Sequence, residues 1–351
     1  MAQTRFFTTT RGVFQGGGCR AAAFAGAFEA AHEHGVSFSE VAGTSAGAIT
    51  AALIGAGATP SQVSEFLEEL DFRQFLVPAG PRMLTKPGLL VAKHGVYSST
   101  PIQHWMEKRL SSLTGQPSPV KFSDLAIPTL VVATDLVRRA TVTWGAEHNG
   151  SVDVALAVRC SCTIPLFFAP VHGRYVDGGL LSNLPSFVFN ASHDEGNVGR
   201  ILAFCLADDS NPTEASGIWP YLQSLANTVV SGSQGVQSIL QPNVHVIRIP
   251  TGPIRATDFD AMDTAAIATL TSSGRDATKA FFRNELANVR SIDRATRAIA
   301  DREQMFAAFV DTIDGHVEEV CISDANTDFV FSLFLSLLRL GMQGAKMRVL
   351  L

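Results

Sequence analysis

A chain of 351 residues, 46% of them apolar, can bury a sizeable core, and its length fits one large α/β domain as well as two smaller ones. Its formal net charge of −5 excludes a general nucleic-acid binder, a class that carries a strong basic bias. The five cysteines (Cys19, Cys160, Cys162, Cys205 and Cys321) are scattered without a C-x-x-C, which is the usage of a reducing compartment and not of a disulfide framework or a zinc site.

The first eleven residues are polar and threonine-rich and lack an apolar h-region, so no signal peptide is expected and the chain is expected to be cytoplasmic. No run of about 18 apolar residues follows, so no transmembrane helix is expected either. Gly12 to Gln15 predicts a first buried strand, ending in Gly16-Gly17-Gly18-Cys19-Arg20. Ala21 to His34, with Phe24 and Phe28 four apart, predicts an amphipathic helix. A glycine-rich loop that opens a helix presents unpaired N–H groups at the positive end of the helix dipole, where it can hold a phosphate or an oxyanion. Gly16, Gly18 and Ala21 fit a dinucleotide fingerprint, but that reading needs an acidic residue at the end of the second strand. Here the second strand, Phe38 to Ala42, runs into Gly43-Thr44-Ser45-Ala46-Gly47, and Glu40 comes too early.

That G-x-S-x-G lies between a strand and a small, apolar helix, Ala48 to Ala56. This is the context of a nucleophile held on a sharp elbow, and it nominates Ser45. Gly43 and Gly47 leave room for the backbone that such a turn brings close. Parallel strands of a β-loop-α-β unit end on one edge of the sheet, so the Gly16–Gly18 loop and Ser45 are expected to open into one crevice.

Further on, Val63 to Phe75 predicts a helix. Pro78 to Gly95 reads as a solvated loop made locally basic by Arg82, Lys86, Lys93 and His94. Pro101 marks a helix start, with the helix running to about Leu110. Leu130 to Thr134 predicts a buried strand with Ala140 to Trp144 as its neighbour. Ser151 to Cys160 predicts a helix, and Arg174 to Asp177 a strand closed by Gly178 and Gly179. Ile201 to Leu206 and Val244 to Ile249 are two more strands, with a polar loop from Asp208 and a helix from about Pro220 between them. The rest reads as mainly helical. It includes Phe329 to Met342, whose only polar side chains, Ser332, Ser336 and Arg339, fall on one stripe. Such a helix is expected to be packed away, with a lipid interface beside Lys346 and Arg348 as the alternative. No linker is visible, so a single domain over 1–351 is expected: α/β, with a mostly parallel sheet covered by helices on both faces.

Ser45 needs a base. His172 and His193 stand near loops, His245 in an apolar strand and His316 in helical sequence, none of them a diagnostic setting. Asp177, at a strand end with two glycines behind it, is the better candidate. Taken together, Gly16-Gly17-Gly18-Cys19-Arg20, Gly43-Thr44-Ser45-Ala46-Gly47 and Asp177-Gly178-Gly179 resemble, in order, the three blocks of the patatin-like phospholipases. Val96-Tyr97-Ser98, Val132-Ala133-Thr134-Asp135-Leu136, Ser161-Cys162-Thr163-Ile164-Pro165 and Asn183-Leu184-Pro185 extend the likeness over about 12–210. Ala21 departs from it, standing where the family usually has glycine.

The resemblance implies a three-layer patatin-like fold and a lipid acyl hydrolase that works on membrane phospholipids at the inner face of the membrane, without metal or cofactor. Ser45 would be its nucleophile and Asp177 its base, with the N–H groups of Gly17, Gly18 and Cys19 as the oxyanion hole. Gly16, Arg20, Gly43, Gly47, Gly178 and Gly179 would support them, Arg20 by fixing the loop or meeting lipid phosphate. Asp177 is expected to be partly desolvated, since an ordinary carboxylate is a weak base for a serine. The chain also resembles bacterial patatin-like effectors of anti-phage signalling, which a cyclic oligonucleotide switches on. That likeness implies a gate, with the ligand bound by the basic loop from Arg82 to His94 or between subunits of a homo-oligomer. Two other readings compete. One is an α/β-hydrolase with a Ser-Asp-His triad completed by His193 or His245, although only one strand precedes the elbow here. The other is a non-catalytic binding protein on the same fold.

Overall fold

The computed structural model describes residues 10–68, 72–81, 86–147, 150–189, 200–207, 244–284, 319–322 and 346–349. The helices expected from Pro220 and over Phe329 to Met342, and the side chains of His193, His316 and Arg82, lie outside these residues. The chain falls into two compact units, Met1–Phe282 and Arg283–Leu351.

The first unit is built on a seven-stranded sheet. Strand β1 (Thr10–Phe14) is followed by a 3₁₀ turn (Gly18–Ala22) and α1 (Ala23–Glu33), and then β2 (Phe38–Thr44) leads into α2 (Ala46–Gly55). After α3 (Pro60–Glu68), α4 (Lys86–Lys93), β3 (Gly95–Tyr97) and α5 (Thr100–Thr114) comes the hairpin of β4 (Thr129–Asp135) and β5 (Ala140–Trp144). Next are α6 (Val154–Ser161), β6 (Leu166–Phe168) and β7 (Tyr175–Asp177), followed by β8 (Ile201–Ala207), β9 (Val244–Pro250) and α7 (264–284). The strand order is β5-β4-β2-β1-β8-β9, parallel from β4 to β9, with β5 antiparallel at the edge.

The strands are near-continuous apolar runs because both faces are buried. Alternation sends Phe14 and Phe204 to one face, where their rings stack at 4.9 Å and Phe14 meets Phe24 of α1 edge-on. Val13, Ala42 and Ala203, one residue away in register, form a second cluster with Leu184 and Phe189 on the opposite face. Helix α7 closes on α1 at small residues: a Cβ on Gly26 would stand 1.8 Å from the Thr271 carbonyl oxygen, and one on Gly274 would stand 1.9 Å from that of Ala23. Arg275–Glu29 and Lys279–Glu33 ion pairs flank this contact.

Three expectations change. The stretch read as a loop from Pro78 to Gly95 contains α4, because Pro87 falls in the first turn, where its missing N–H costs nothing. Lys93 and His94 at the end of α4 are exposed. The helix expected over Val63 to Phe75 is α3 plus a separate 3₁₀ turn (Phe72–Phe75). In the second unit, inside a region read as helical, β10 (Glu319–Ile322) and β11 (Lys346–Val349) pair in parallel.

Candidate active site

The site is made by the way three strands meet. β2 and β4 run side by side until Thr44 faces Val132, where β2 ends. β7 then comes down beside β4 from the opposite direction and ends with Asp177 facing Ala133. The two strands thus meet end to end along β4, and Ser45 and Asp177, 132 residues apart in sequence, become neighbours. The Ser45 hydroxyl donates to Oδ2 of Asp177 at 2.5 Å. Oδ1 of Asp177 accepts from the Gly179 N–H at 2.7 Å, and the Asp177 N–H donates to the Thr163 carbonyl at 2.7 Å, so the carboxylate is held on both sides. Both side chains are buried.

Ser45 occupies a backbone conformation that L-residues rarely adopt (φ 53°, ψ −129°) at the N-cap of α2. Its N–H donates to Oγ of Ser161 at 2.8 Å, and that hydroxyl donates to the Val132 carbonyl at 2.5 Å, tying the elbow to β4. Close packing does the rest. A Cβ on Gly43 would lie 2.2 Å from the Gly47 oxygen, and one on Gly47 would lie 2.2 Å from the Phe14 oxygen.

The glycine-rich loop stands beside this elbow. The Gly16 N–H donates to the Asn183 carbonyl at 3.0 Å. Arg20 folds back, its N–H and Nε both donating to the Gly17 carbonyl at 3.3 Å, which is a loop-fixing contact. Gly18 has φ +56°, and a Cβ there would stand 1.9 Å from the Ala256 oxygen. The three N–H groups expected to act together are not equivalent. The Cys19 N–H donates to the Ala256 carbonyl at 3.1 Å and its thiol to the Arg255 carbonyl at 3.2 Å, because the chain after β9 crosses the loop at this point. No described residue accepts from the N–H of Gly17 or Gly18, and Gly18 lines the same pocket as Ser45. Gly178 packs against the Val132 backbone and Gly179 against Asn183.

Ser45 lines a nearly wholly apolar pocket together with Ala22, Ile49, Leu67, Phe75, Ile164, Phe168 and Phe259. Phe259, also from the chain after β9, stacks on Phe167 at 5.5 Å. Burial raises Asp177 from 3.8 to about 6, against the lowering pull of its bonds from Ser45 and Gly179. Burial likewise pushes the Cys19 thiol to about 12 and that of Cys162 well up, helped for both by nearby aspartate charge, so neither is a ready thiolate.

Ser161, Thr163 and Asn183 lie in sequence blocks already singled out, without a role assigned to them. Ala256 and Phe259 carry no local signal, since their contacts are visible only in three dimensions. His245, on β9, faces Leu202 of β8, and β9 lies three strands from β2, which is about 14 Å of sheet. His172 is exposed in the turn before β7. Neither of them completes a triad with Ser45.

Comparison with known proteins agrees with this architecture. Residues 12–189 match the family model described as patatin-like phospholipase. The uncharacterised protein YqhO of Bacillus subtilis (strain 168) is 29% identical over 291 residues, covering 78% of this chain and 97% of that protein. The uncharacterised NTE family protein Rv1063c of Mycobacterium tuberculosis is 31% identical over 172 residues, covering 48% of this chain and 42% of that longer protein. Among solved structures, VipD from Legionella pneumophila superposes with a TM-score of 0.51 at 17% identity, over 78% of this chain and 67% of that one. A chain of the ExoU–SpcU complex from Pseudomonas aeruginosa superposes with a TM-score of 0.50 at 18% identity, over 80% of this chain and 52% of that one. With half of its length matched by the family model, the chain belongs to the patatin-like phospholipase family, which supports a lipid hydrolase function.

Proposed function

We propose that the chain cleaves carboxylic esters of phospholipids through a Ser45–Asp177 dyad and an acyl-enzyme. The observation that carries this reading is the 2.5 Å bond between the two side chains, with Ser45 lining an apolar pocket. Ionised Asp177 takes the proton of Ser45 as Oγ attacks the ester carbonyl. The tetrahedral oxyanion is met by the N–H groups of Gly17 and Gly18, each such donor being worth about 10²–10³ in rate. The positive end of α2, at Ser45, adds to this field. Asp177 then gives its proton to the leaving alcohol, afterwards draws one from the water that attacks the acyl group, and returns it to Ser45 Oγ as the Oγ–acyl bond breaks and the fatty acid leaves. An acyl chain fits the pocket because nothing polar in it needs a partner.

The experiment is lipid release from phospholipid vesicles, together with labelling of Ser45 by a fluorophosphonate. Both are expected, and a folded protein that does neither overturns the proposal. Repeating the vesicle assay with and without cyclic di- and trinucleotides tests the gating that the resemblance implies. Asp177 works as a base only when ionised. kcat/KM should therefore rise about tenfold per pH unit up to a pKa near 6 and level off above it. A profile that is flat from pH 5 to 8 would contradict Asp177 as the base.

A further inference from the structure

The end of β4 carries a surface that the dyad chemistry does not use. β4 continues past Ala133, the level of Asp177, to Asp135, and turns back to β5 through Leu136, Val137, Arg138 and Arg139. This tip projects on the order of 10 Å beyond the dyad, on the same edge of the sheet. Val137 is 70% exposed and Leu136 42%. Leu181, four residues after Asp177, is 39% exposed. The described residues expose only one other large apolar side chain, Val77. Around the tip the charge is positive: Arg138 and Arg139 are exposed, and Arg174 reaches in to bond Asp135 at 2.5 Å. Three arginines stand against one aspartate on a chain whose net charge is negative.

We propose that the β4–β5 tip is the docking surface through which the protein seats its active-site edge on a bilayer that carries anionic lipid, Leu136 and Val137 entering the headgroup layer and Arg138 and Arg139 meeting the phosphates. The proposal rests on the reading of the site as a phospholipid hydrolase. Two apolar side chains at the end of a hairpin are far too small an area for a stable protein interface, which takes about 800 Å² from each partner. They suit a headgroup layer, where a shallow apolar wedge and a few cations act together and weakly. The polarity also matches, since a net-negative chain approaches an anionic surface productively only with its cationic face forward.

The test uses the full chain with Ser45→Ala, so that vesicles stay intact. Co-sedimentation with vesicles of phosphatidylcholine plus phosphatidylserine should exceed that with phosphatidylcholine alone by about tenfold. Val137→Asp should cut the binding by about tenfold. Arg138→Gln with Arg139→Asn, the latter chosen because asparagine tolerates the φ of 54° at that position, should remove the preference for anionic vesicles. Val137→Trp should shift its fluorescence to the blue only when vesicles are present. In the active background, the same tip variants should hydrolyse a short, water-soluble ester at the parent's rate, which shows that they are folded. Vesicle binding unchanged by Val137→Asp, or a tryptophan that stays in water on bound vesicles, overturns the docking surface and leaves the dyad standing. Failure of the unmodified chain to cleave either the soluble ester or vesicle lipid overturns the dyad instead.

Discussion

Ser45→Ala and Asp177→Asn should each lower phospholipid turnover by about 10⁴-fold or more, and the double variant should be little worse than either, because the two groups act as one unit. Asparagine in place of Asp177 keeps the shape and both neighbours: its oxygen accepts from the Gly179 N–H, and its amide donates to Ser45 Oγ. What disappears is the buried charge, and with it the base. The same substitution should raise stability at neutral pH. Burial lifts the folded-state pKa of Asp177 to about 6, above its ordinary 3.8. Between those values the native chain holds a proton that the unfolded chain has released. The stability contributed by Asp177 is thus fully present below 3.8 and lost as pH rises through about 6. Above that, the ionised form costs about 3 kcal/mol. Asp177→Asn should therefore melt several degrees above the parent at pH 8, and the gain should shrink toward pH 4. Full turnover in folded Asp177→Asn protein would remove Asp177 from the mechanism, and an equal gain in melting temperature at both pH values would remove burial of its charge as the cause.

Gly47→Ala should be among the most damaging single-methyl changes at the described residues of the elbow. The new Cβ would stand 2.2 Å from the Phe14 carbonyl oxygen and 2.6 Å from that of Gln15. Both are backbone atoms of β1 and its exit, so no flexible side chain can yield, and α2 must lift off the sheet. Ordinary overpacking costs about 1–3 kcal/mol, and a clash with central-strand backbone should exceed that. A fall in melting temperature of about 10 °C or more, or failure to accumulate as folded protein, is expected. Gly115→Ala is the control. Its φ is positive (68°), unlike that of Gly47, but nothing lies within 4 Å of its Cβ position, so only about 1 kcal/mol should be lost. Equal melting temperatures for the two variants would show that the close contact of Gly47 with β1 does not hold the elbow.

How legible the site was in the sequence depended on how local each feature is. The elbow around Ser45 and the loop from Gly16 to Arg20 depend on residues within one turn of each other, so their spacing announces them. Asp177 could be nominated as an acid at a strand end. Its meeting with Ser45 depends on β7 pairing antiparallel to β4, and three residues contain no sign of that. Strands β3 and β6, equally short, have too few residues for an alternating pattern to show in the sequence. Helix α4 was hidden by Pro87 and Gly88, which break helices in the middle but not at the start. The crossing of Arg255, Ala256 and Phe259 over the glycine loop was invisible for another reason. Carbonyl oxygens do the binding at Cys19, and every residue type has one.

The end-to-end meeting of β2 and β7 beside β4 also bears on how such a protein can change over time. Between Ser45 and Asp177 the chain wanders through α3, α4 and α5 and their loops, which could lengthen, shorten or be exchanged without altering the gap between the two side chains, whereas α2 and α6 hold it through Gly47 and Ser161. That gap is set by two consecutive positions, Val132 and Ala133. An insertion or deletion of one residue between Thr129 and Val132 would slide one anchor past the other and turn the strand's inward side chains outward. Descendants of this chain are therefore free to remodel much of what lies between α2 and β4, provided that four residues of one strand keep their count.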